Sequence, residues 1–372
     1  MKVLLLSVST GQGHHQTAMA AMDSLRVRGV DCEMLDIYEY ISPRLSDSIA
    51  KGYLISTQFS PFVYGKLYRL AEKKEKSDTK FSIARLTNEI LSHKLTSYID
   101  NYDPDVIVCT HVLSGHLVTH MRDKGRLQNT KLVGIVTDFA IHPFWEDTVL
   151  DYYITASHLL NNQLKKKQIP LEKVMPLGIP VAEKFSSRTD RAAARAALGL
   201  EDKMTVLLMS GSMGYGNMVK VIKQIDQLDM DFQIISVCGH NMHAKEKIDQ
   251  LQTRKRVINY GYVNNVDQLM DASNCIITKP GGITVSESLA KGLPIIIINP
   301  IPGQEDRNVE FLTNNGLALK VTPTFPIDEA IFQMLSNEWR QVHSDSMIHY
   351  IGKPRSAADF AEFVISLKRA EG

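Results

Sequence analysis

No stretch of this chain is apolar for long enough to cross a bilayer; the longest hydrophobic runs are strand-sized. Cysteine is scarce. Cys32, Cys109, Cys238 and Cys275 stand far apart, three of them in or beside apolar runs, which excludes a disulfide framework or a zinc-ligand spacing. They read as reduced, buried thiols of a cytoplasmic protein. An excess of one charge is also missing: Lys+Arg 42 against Asp+Glu 41 gives a net charge of +1, which argues against a dedicated nucleic-acid binder. There is no repeat of fixed period and no low-complexity tract. The opening run Met1–Ser7 is too short for the apolar region of a signal peptide and leads into a glycine-rich turn. What is present, 44% hydrophobic and 22% charged residues over 372 positions, describes a globular chain with room for two domains.

Short β-rich runs alternate with longer helical patterns, twice over. The first half offers Lys2–Ser7, Cys32–Leu35, Val106–Cys109 and Leu132–Thr137 as strands, with helices over Gln16–Arg28, Arg85–Tyr98 and Leu113–Lys124. The second offers Thr205–Met209, Gln233–Cys238, Val257–Tyr260, Cys275–Thr278 and Ile295–Ile298. Near-continuous Val/Ile/Leu strands interleaved with helices mean parallel sheets covered on both faces. The expected class is therefore α/β, with two Rossmann-like domains facing each other across a cleft. Residues 1–177 form the first and 178–354 the second, with the change near Gly178-Ile-Pro-Val181 after the strand-like Val174–Leu177. A helical tail, 355–372, is a candidate to return to the first domain.

The densest chemistry lies in Lys279-Pro-Gly-Gly-Ile-Thr-Val-Ser-Glu287 and in Pro302-Gly-Gln-Glu-Asp-Arg-Asn308. A glycine pair, Gly281-Gly282, at a strand-to-helix junction allows close backbone approach. The first helical turn offers free N–H groups and a positive dipole end to an anion. Glu287, about one turn in, has a carboxylate suited to a ribose diol. A phosphate seat beside a diol-binding acid is the layout of a nucleotide site, and Gln304, Glu305 and Asn308 are side chains suited to sugar hydroxyls. Ser210-Gly-Ser-Met-Gly214 follows the first strand of the second block in the same manner. Ser210, Gly211, Ser212 and Gly214 add a second phosphate or sugar cradle. Gly261-Tyr262-Val263 ends another strand of this block, where Tyr262 and Val263 can bracket a base.

In the first block, Ser9-Thr-Gly-Gln-Gly-His14 joins the first strand to the first helix, at the strand end where doubly wound sheets bind ligands. The third glycine of a dinucleotide fingerprint is replaced by Gln16, which weakens a hydride-transfer reading. Gly11 and Gly13 instead leave room for a ligand to reach His14, an imidazole able to act as a general base near neutral pH. The competing reading is a solvated or capping histidine. Thr137-Asp-Phe-Ala-Ile-His-Pro-Phe-Trp145 ends the fourth strand and offers Asp138, His142 and Trp145 as cleft-lining residues, with His111 at the end of the strand before. Asp103-Pro-Asp105 and Asp229-Met-Asp231 look like metal clamps but precede strands, away from the ligand edge, and read as turns. His111, His116 and His120 lack a carboxylate or cysteine to complete a metal set, so no metal and no cofactor is expected.

Between the second and third strands, Tyr53–Lys80 is rich in Tyr, Phe and Leu, with basic residues outnumbering acidic ones towards its end. Such a segment can lie on an anionic membrane surface, or it can be a core-packing helix with a solvated charged end.

Taken in order, Gly-Gln-Gly-His14, Thr137-Asp138 with His142 and Trp145, Gly178-Ile-Pro180, Lys279–Glu287 and Pro302–Glu305 resemble the glycosyltransferases of GT-B architecture. More narrowly, the chain is similar to the family of monogalactosyldiacylglycerol synthases and processive diacylglycerol β-glucosyltransferases. The resemblance implies a UDP-sugar donor held by Ser210–Gly214, Tyr262, Val263, Lys279, Gly281, Gly282, Ile283, Thr284, Glu287, Gln304, Glu305 and Asn308. It implies a diacylglycerol or glycosyl-diacylglycerol acceptor held by the first domain at Gly11, Gly13, His111, Asp138, His142 and Trp145. His14 becomes the base of an inverting displacement that needs no metal, performed by a cytoplasmic protein held peripherally on the inner face of the cell membrane. A UDP-sugar epimerase, a lipid II-type N-acetylglucosaminyl transferase of the same fold and a non-catalytic UDP-sugar sensor are the competing readings; glucose and galactose are left open.

Overall fold

A computed structural model of the chain describes residues 1–8, 12–41, 95–211, 214, 216–303 and 305–369. They fall into two compact units, one built chiefly from Met1–Glu183 with Arg355–Gly372, the other from Lys184–Ile301 with Glu305–Pro354. The aromatic and basic segment Tyr53–Lys80 lies outside the described residues, as do the start of the helix expected from Arg85 and the site candidates Gly11, Ser212 and Gln304.

The first unit carries β1 (Lys2–Ser7), β2 (Asp31–Asp36), β3 (Val106–Cys109), β4 (Lys131–Ile135), β5 (Tyr152–Ile154) and β6 (Val174–Met175) in the order β2-β1-β3-β4-β5-β6, every pairing parallel. The first helix, Gln12–Val27, lays Ala18, Ala21, Met22 and Leu25 against Val3 and Leu5. Its alanines let the helix sit close to the sheet. The last helix, Ser356–Arg369, adds Phe360, Ala361 and Val364 to the same core. Ser356 fixes the start of that helix by accepting the Val181 N–H on its Oγ at 3.2 Å.

The second unit carries β7 (Thr205–Met209), β8 (Gln233–Val237), β9 (Val257–Tyr260), β10 (Cys275–Thr278), β11 (Ile295–Ile297) and β12 (Ala318–Lys320), ordered β12-β11-β10-β7-β8-β9 and again wholly parallel. Val206, Leu208, Ile234, Cys275, Ile277 and Ile296 are among its buried strand residues. All four cysteines are buried free thiols. In each sheet the winding direction reverses once, between β1 and β3 and between β7 and β10. At such a reversal neighbouring crossovers lie on opposite faces and a crevice opens at the strands' carboxyl ends.

Several boundaries differ from the sequence reading. The first helix begins at Gln12 rather than Gln16, because a first turn can include Gly13 without losing an intrahelical bond. β4 stops at Ile135; beyond it Val136 N–H donates to Ile154 O, and Thr137 is already in the loop. β5 and β12, three residues each, are too short to stand out from their surroundings in a periodicity.

Gly134, next to the last residue of β4, accommodates a neighbour. A Cβ there would lie 2.6 Å from Leu150 Cδ1 and 2.9 Å from Trp145 Cζ3. Gly134→Ala should therefore destabilise the protein by about 1–3 kcal/mol through overpacking. Urea unfolding checks this, and a change below about 0.5 kcal/mol would mean that the Trp145 and Leu150 side chains can yield.

Candidate active site

At the β1/β3 reversal, His14 sits in the first turn of its helix and faces the carboxyl ends of β3 and β4. Its Nδ1 is 2.9 Å from the Thr110 carbonyl oxygen and 2.9 Å from Thr137 Oγ1. A carbonyl can only accept, so Nδ1 carries the hydrogen and the neutral ring keeps its lone pair on Nε2. Burial lowers the His14 pKa, while the Asp138 carboxylate and the Thr110 carbonyl pull it back up. The result is a neutral imidazole of fixed tautomer whose basic lone pair is on Nε2.

His111 stands edge-on to it, with ring centroids 4.7 Å apart at 89°. It is the N-cap of helix Val112–Asp123, its Nδ1 accepting the Leu113 N–H at 3.1 Å. His142 caps the short turn Pro143–Asp147 in the same way, accepting from Phe144 N–H at 3.3 Å. Burial, reinforced by His14, His142 and His116, holds the His111 pKa well below the ordinary imidazole value. Thus the structure brings His14, His111, Asp138 and His142 together at one strand edge. Trp145 does not join them as a contact surface. It is 4% exposed and packs on Gly134, Gly115 and Tyr153, so it belongs to the core beneath.

In the second unit the β7/β10 reversal carries both glycine loops. Ser210 and Thr278 end or follow the two strands, and each has a wholly buried hydroxyl with no partner among the described residues. Helix Gly282–Ala290 starts at Gly281, which supplies no side-chain cap, and its first intrahelical bond runs from Val285 N–H to Gly281 O. The N–H groups of Gly282, Ile283 and Thr284 precede that bond, so this end of the helix suits an anion. Gly211 adopts φ +70 with open space where a Cβ would point. Gly214 serves packing instead: its N–H donates to Gly211 O and a Cβ would lie 2.2 Å from the Cys238 carbonyl.

Glu287 lies one turn further along that helix. Burial pushes its pKa up to about 8, with Lys184 pulling down and Asp267 pushing up. Lys279 pairs with Glu305 at 3.2 Å, and the other Glu305 oxygen accepts the Ile301 N–H at 2.8 Å. Asn308 is wholly buried and donates to Pro280 O at 2.9 Å. Glu305 and Asn308 therefore brace the loops around Gly281, and for Asn308 that replaces the expected sugar contact. Tyr262 is exposed and stacks on His240, ring centroids 4.6 Å apart, with Val263 half-buried beside it.

The Thr110 carbonyl is the functional group that sequence reasoning missed. It acts through its backbone, which no side-chain pattern discloses. Asn241 was also missed: its Nδ2 holds the Gly214 carbonyl at 3.0 Å. The only signal for it was its position after β8.

An imidazole with its lone pair on Nε2 at one reversal, and a helix start suited to an anion with a half-buried acid at another, suit group transfer from an activated, phosphate-bearing donor. Solved structures share the fold. Acinetobacter baumannii MurG superposes with a TM-score of 0.65 at 14% identity over 98% of this chain and 99% of its own. UDP-GlcNAc 2-epimerase from Neisseria meningitidis does so with a TM-score of 0.56 at 12% identity, over 98% and 100%. The architecture is GT-B, a fold these structures put to more than one use. Family profiles narrow the class. Residues 14–181 match "Monogalactosyldiacylglycerol (MGDG) synthase" and 205–341 match "Glycosyltransferase family 28 C-terminal domain". This protein is a glycosyltransferase, and it belongs to the monogalactosyldiacylglycerol synthase family with its family 28 carboxyl-terminal half. A relative from Bacillus pumilus (strain SAFR-032), a processive diacylglycerol beta-glucosyltransferase, is 29% identical over 91% of this chain and 87% of its own length.

Two pH responses follow from the site. The folded Glu287 carboxyl holds its proton up to about 8, whereas an unfolded one loses it near 4.5, so the folded state binds the extra proton between these values. Stability should fall as pH rises through that window, with the loss complete above it. Glu287→Gln should flatten this dependence in thermal unfolding at pH 5 to 9; an unchanged slope would show that the acid is not desolvated. Asp138 raises the His14 pKa. Asp138→Asn should therefore move the acid limb of the rate profile to lower pH, and a limb that stays in place would separate Asp138 from the base.

Proposed function

We propose that the chain transfers a hexose from a UDP-sugar to the free hydroxyl of diacylglycerol, with inversion, giving a β-glycosyl-diacylglycerol that can serve as acceptor again. The observation that carries this reading is the fixed Nδ1–H tautomer of His14, at the strand-order reversal of the half that matches the monogalactosyldiacylglycerol synthase profile. In the reaction, His14 Nε2 takes the acceptor proton as the acceptor oxygen bonds to the anomeric carbon. The bond from that carbon to the diphosphate oxygen breaks, and UDP leaves with the electron pair. The helix start at Gly282–Thr284 and the loop at Ser210–Gly211 neutralise the departing diphosphate, and Glu287 takes the ribose diol. This assignment gives no carboxylate the role of covalent nucleophile, so it calls for one displacement rather than two. The name of the Bacillus relative supports glucose as the sugar, with galactose as the second candidate.

No helix among the described residues is long and apolar enough to cross a membrane. The enzyme would work from the cytoplasm, held peripherally on the inner face of the cell membrane by the aromatic and basic segment Tyr53–Lys80. Each lysine near an anionic surface contributes about 1 kcal/mol. Replacing Lys73, Lys74 and Lys76 with Gln should lower co-sedimentation with anionic vesicles at low salt while sparing turnover of a short-chain acceptor. Equal sedimentation of the two proteins would make the segment a solvated face.

The function is tested by incubation with diacylglycerol vesicles and UDP-glucose or UDP-galactose, reading lipid products by mass spectrometry. His14→Ala should reduce turnover about 10²–10⁴-fold with UDP affinity by calorimetry unchanged. Near-normal turnover would remove the base, and hydrolysis or epimerisation of the donor without a lipid product would favour the epimerase reading.

A further inference from the structure

The two abutting imidazoles of the first unit are locked in opposite tautomers. His14 donates Nδ1–H to Thr110 O and so keeps its lone pair on Nε2. His111 accepts the Leu113 N–H on Nδ1, and since a backbone N–H can only donate, the neutral His111 ring carries its hydrogen on Nε2. Burial disfavours a second proton on this ring, and the nearby His14, His142 and His116 add to that. The ring is half-buried, and its Nε2 makes no hydrogen bond among the described residues. One imidazole edge thus offers an acceptor and its neighbour, 4.7 Å away between ring centres, offers a donor.

A plain alcohol can meet both only through its single hydroxyl oxygen. A 1,2-diacylglycerol uses both: its hydroxyl gives a proton, and the ester on the adjacent carbon carries a carbonyl oxygen that accepts. We propose that His111 reads the acceptor, donating Nε2–H to the ester carbonyl next to the hydroxyl that His14 deprotonates, so that the enzyme selects acyl esters of glycerol over the corresponding ethers. This rests on the acceptor assignment made above. An ether oxygen is a poorer acceptor and sits where the carbonyl oxygen does not, leaving the half-buried N–H without its partner.

The test compares kcat/KM on a 1,2-diacylglycerol and on the 1,2-dialkylglycerol of equal chain length, in wild type and in His111→Ser. Serine is a favoured N-cap, so helix Val112–Asp123 keeps its capped start while the imidazole is removed. Wild type should prefer the ester by about tenfold, the factor expected for one hydrogen bond. In His111→Ser that preference should collapse to near one, with the loss falling on the ester. A wild type indifferent to ester and ether overturns the proposal, whether or not the variant folds. So does a folded His111→Ser that loses both activities equally, which would make His111 a support for His14 alone. Wild type that transfers hexose to neither lipid fails differently: it removes the glycerolipid acceptor and this inference with it.

Discussion

The hydrogen bond between His14 Nδ1 and the Thr110 carbonyl, 2.9 Å long, exists because strand order reverses between β1 and β3. That reversal puts the loop after β3 beside the first turn of the helix that follows β1. A histidine in the one then meets a backbone oxygen in the other. The carbonyl fixes the tautomer, the tautomer frees Nε2, and burial holds the ring neutral. Nothing in this sequence of causes needs a carboxylate relay, although Asp138 lies close enough to raise the His14 pKa. The placement and tautomer of this imidazole are therefore a consequence of the winding.

The second unit uses the same topological device for a different end. Its reversal, β7 against β10, places two glycine loops at one strand edge, and the surrounding polar residues brace those loops. Asn241 holds Gly214, Asn308 holds Pro280, and Glu305 ties Lys279 to the Ile301 N–H. Each brace satisfies a polar group that would otherwise be costly to bury. Among the described residues, the buried hydroxyls of Ser210 and Thr278 at this edge have no hydrogen-bond partner, and the Glu287 carboxyl sits in a desolvating environment. Perturbed groups gathered at a strand-order reversal mark a site rather than a core.

The strands were legible where apolar runs were long and bounded by turns: Lys2–Ser7, Val106–Cys109, Thr205–Met209, Val257–Tyr260 and Cys275–Thr278 have the bounds read from sequence. β5 and β12 were not, since three residues give no usable period. His14 was visible through its glycines, and its partner was not, because Thr110 contributes a backbone atom. Trp145 shows the limit from the other side. An aromatic at a strand's carboxyl end reads as a ligand contact, yet Gly115 and Gly134 leave a recess that it fills. Asn308 is a similar case, a polar residue in a donor-like motif that holds a loop. The motifs read from sequence lie at the carboxyl ends of the strands, and packing decides which of their side chains face outward.

The central claim is a single displacement driven by one imidazole, and the stereochemistry of the product tests it most directly. The anomeric configuration of the glycolipid made from an α-linked UDP-hexose can be read by proton NMR from the coupling of the anomeric hydrogen. One base and one displacement predict a β-linked product. An α-linked product would require two displacements or a front-side path, and would contradict the assignment of His14 as the base that drives transfer.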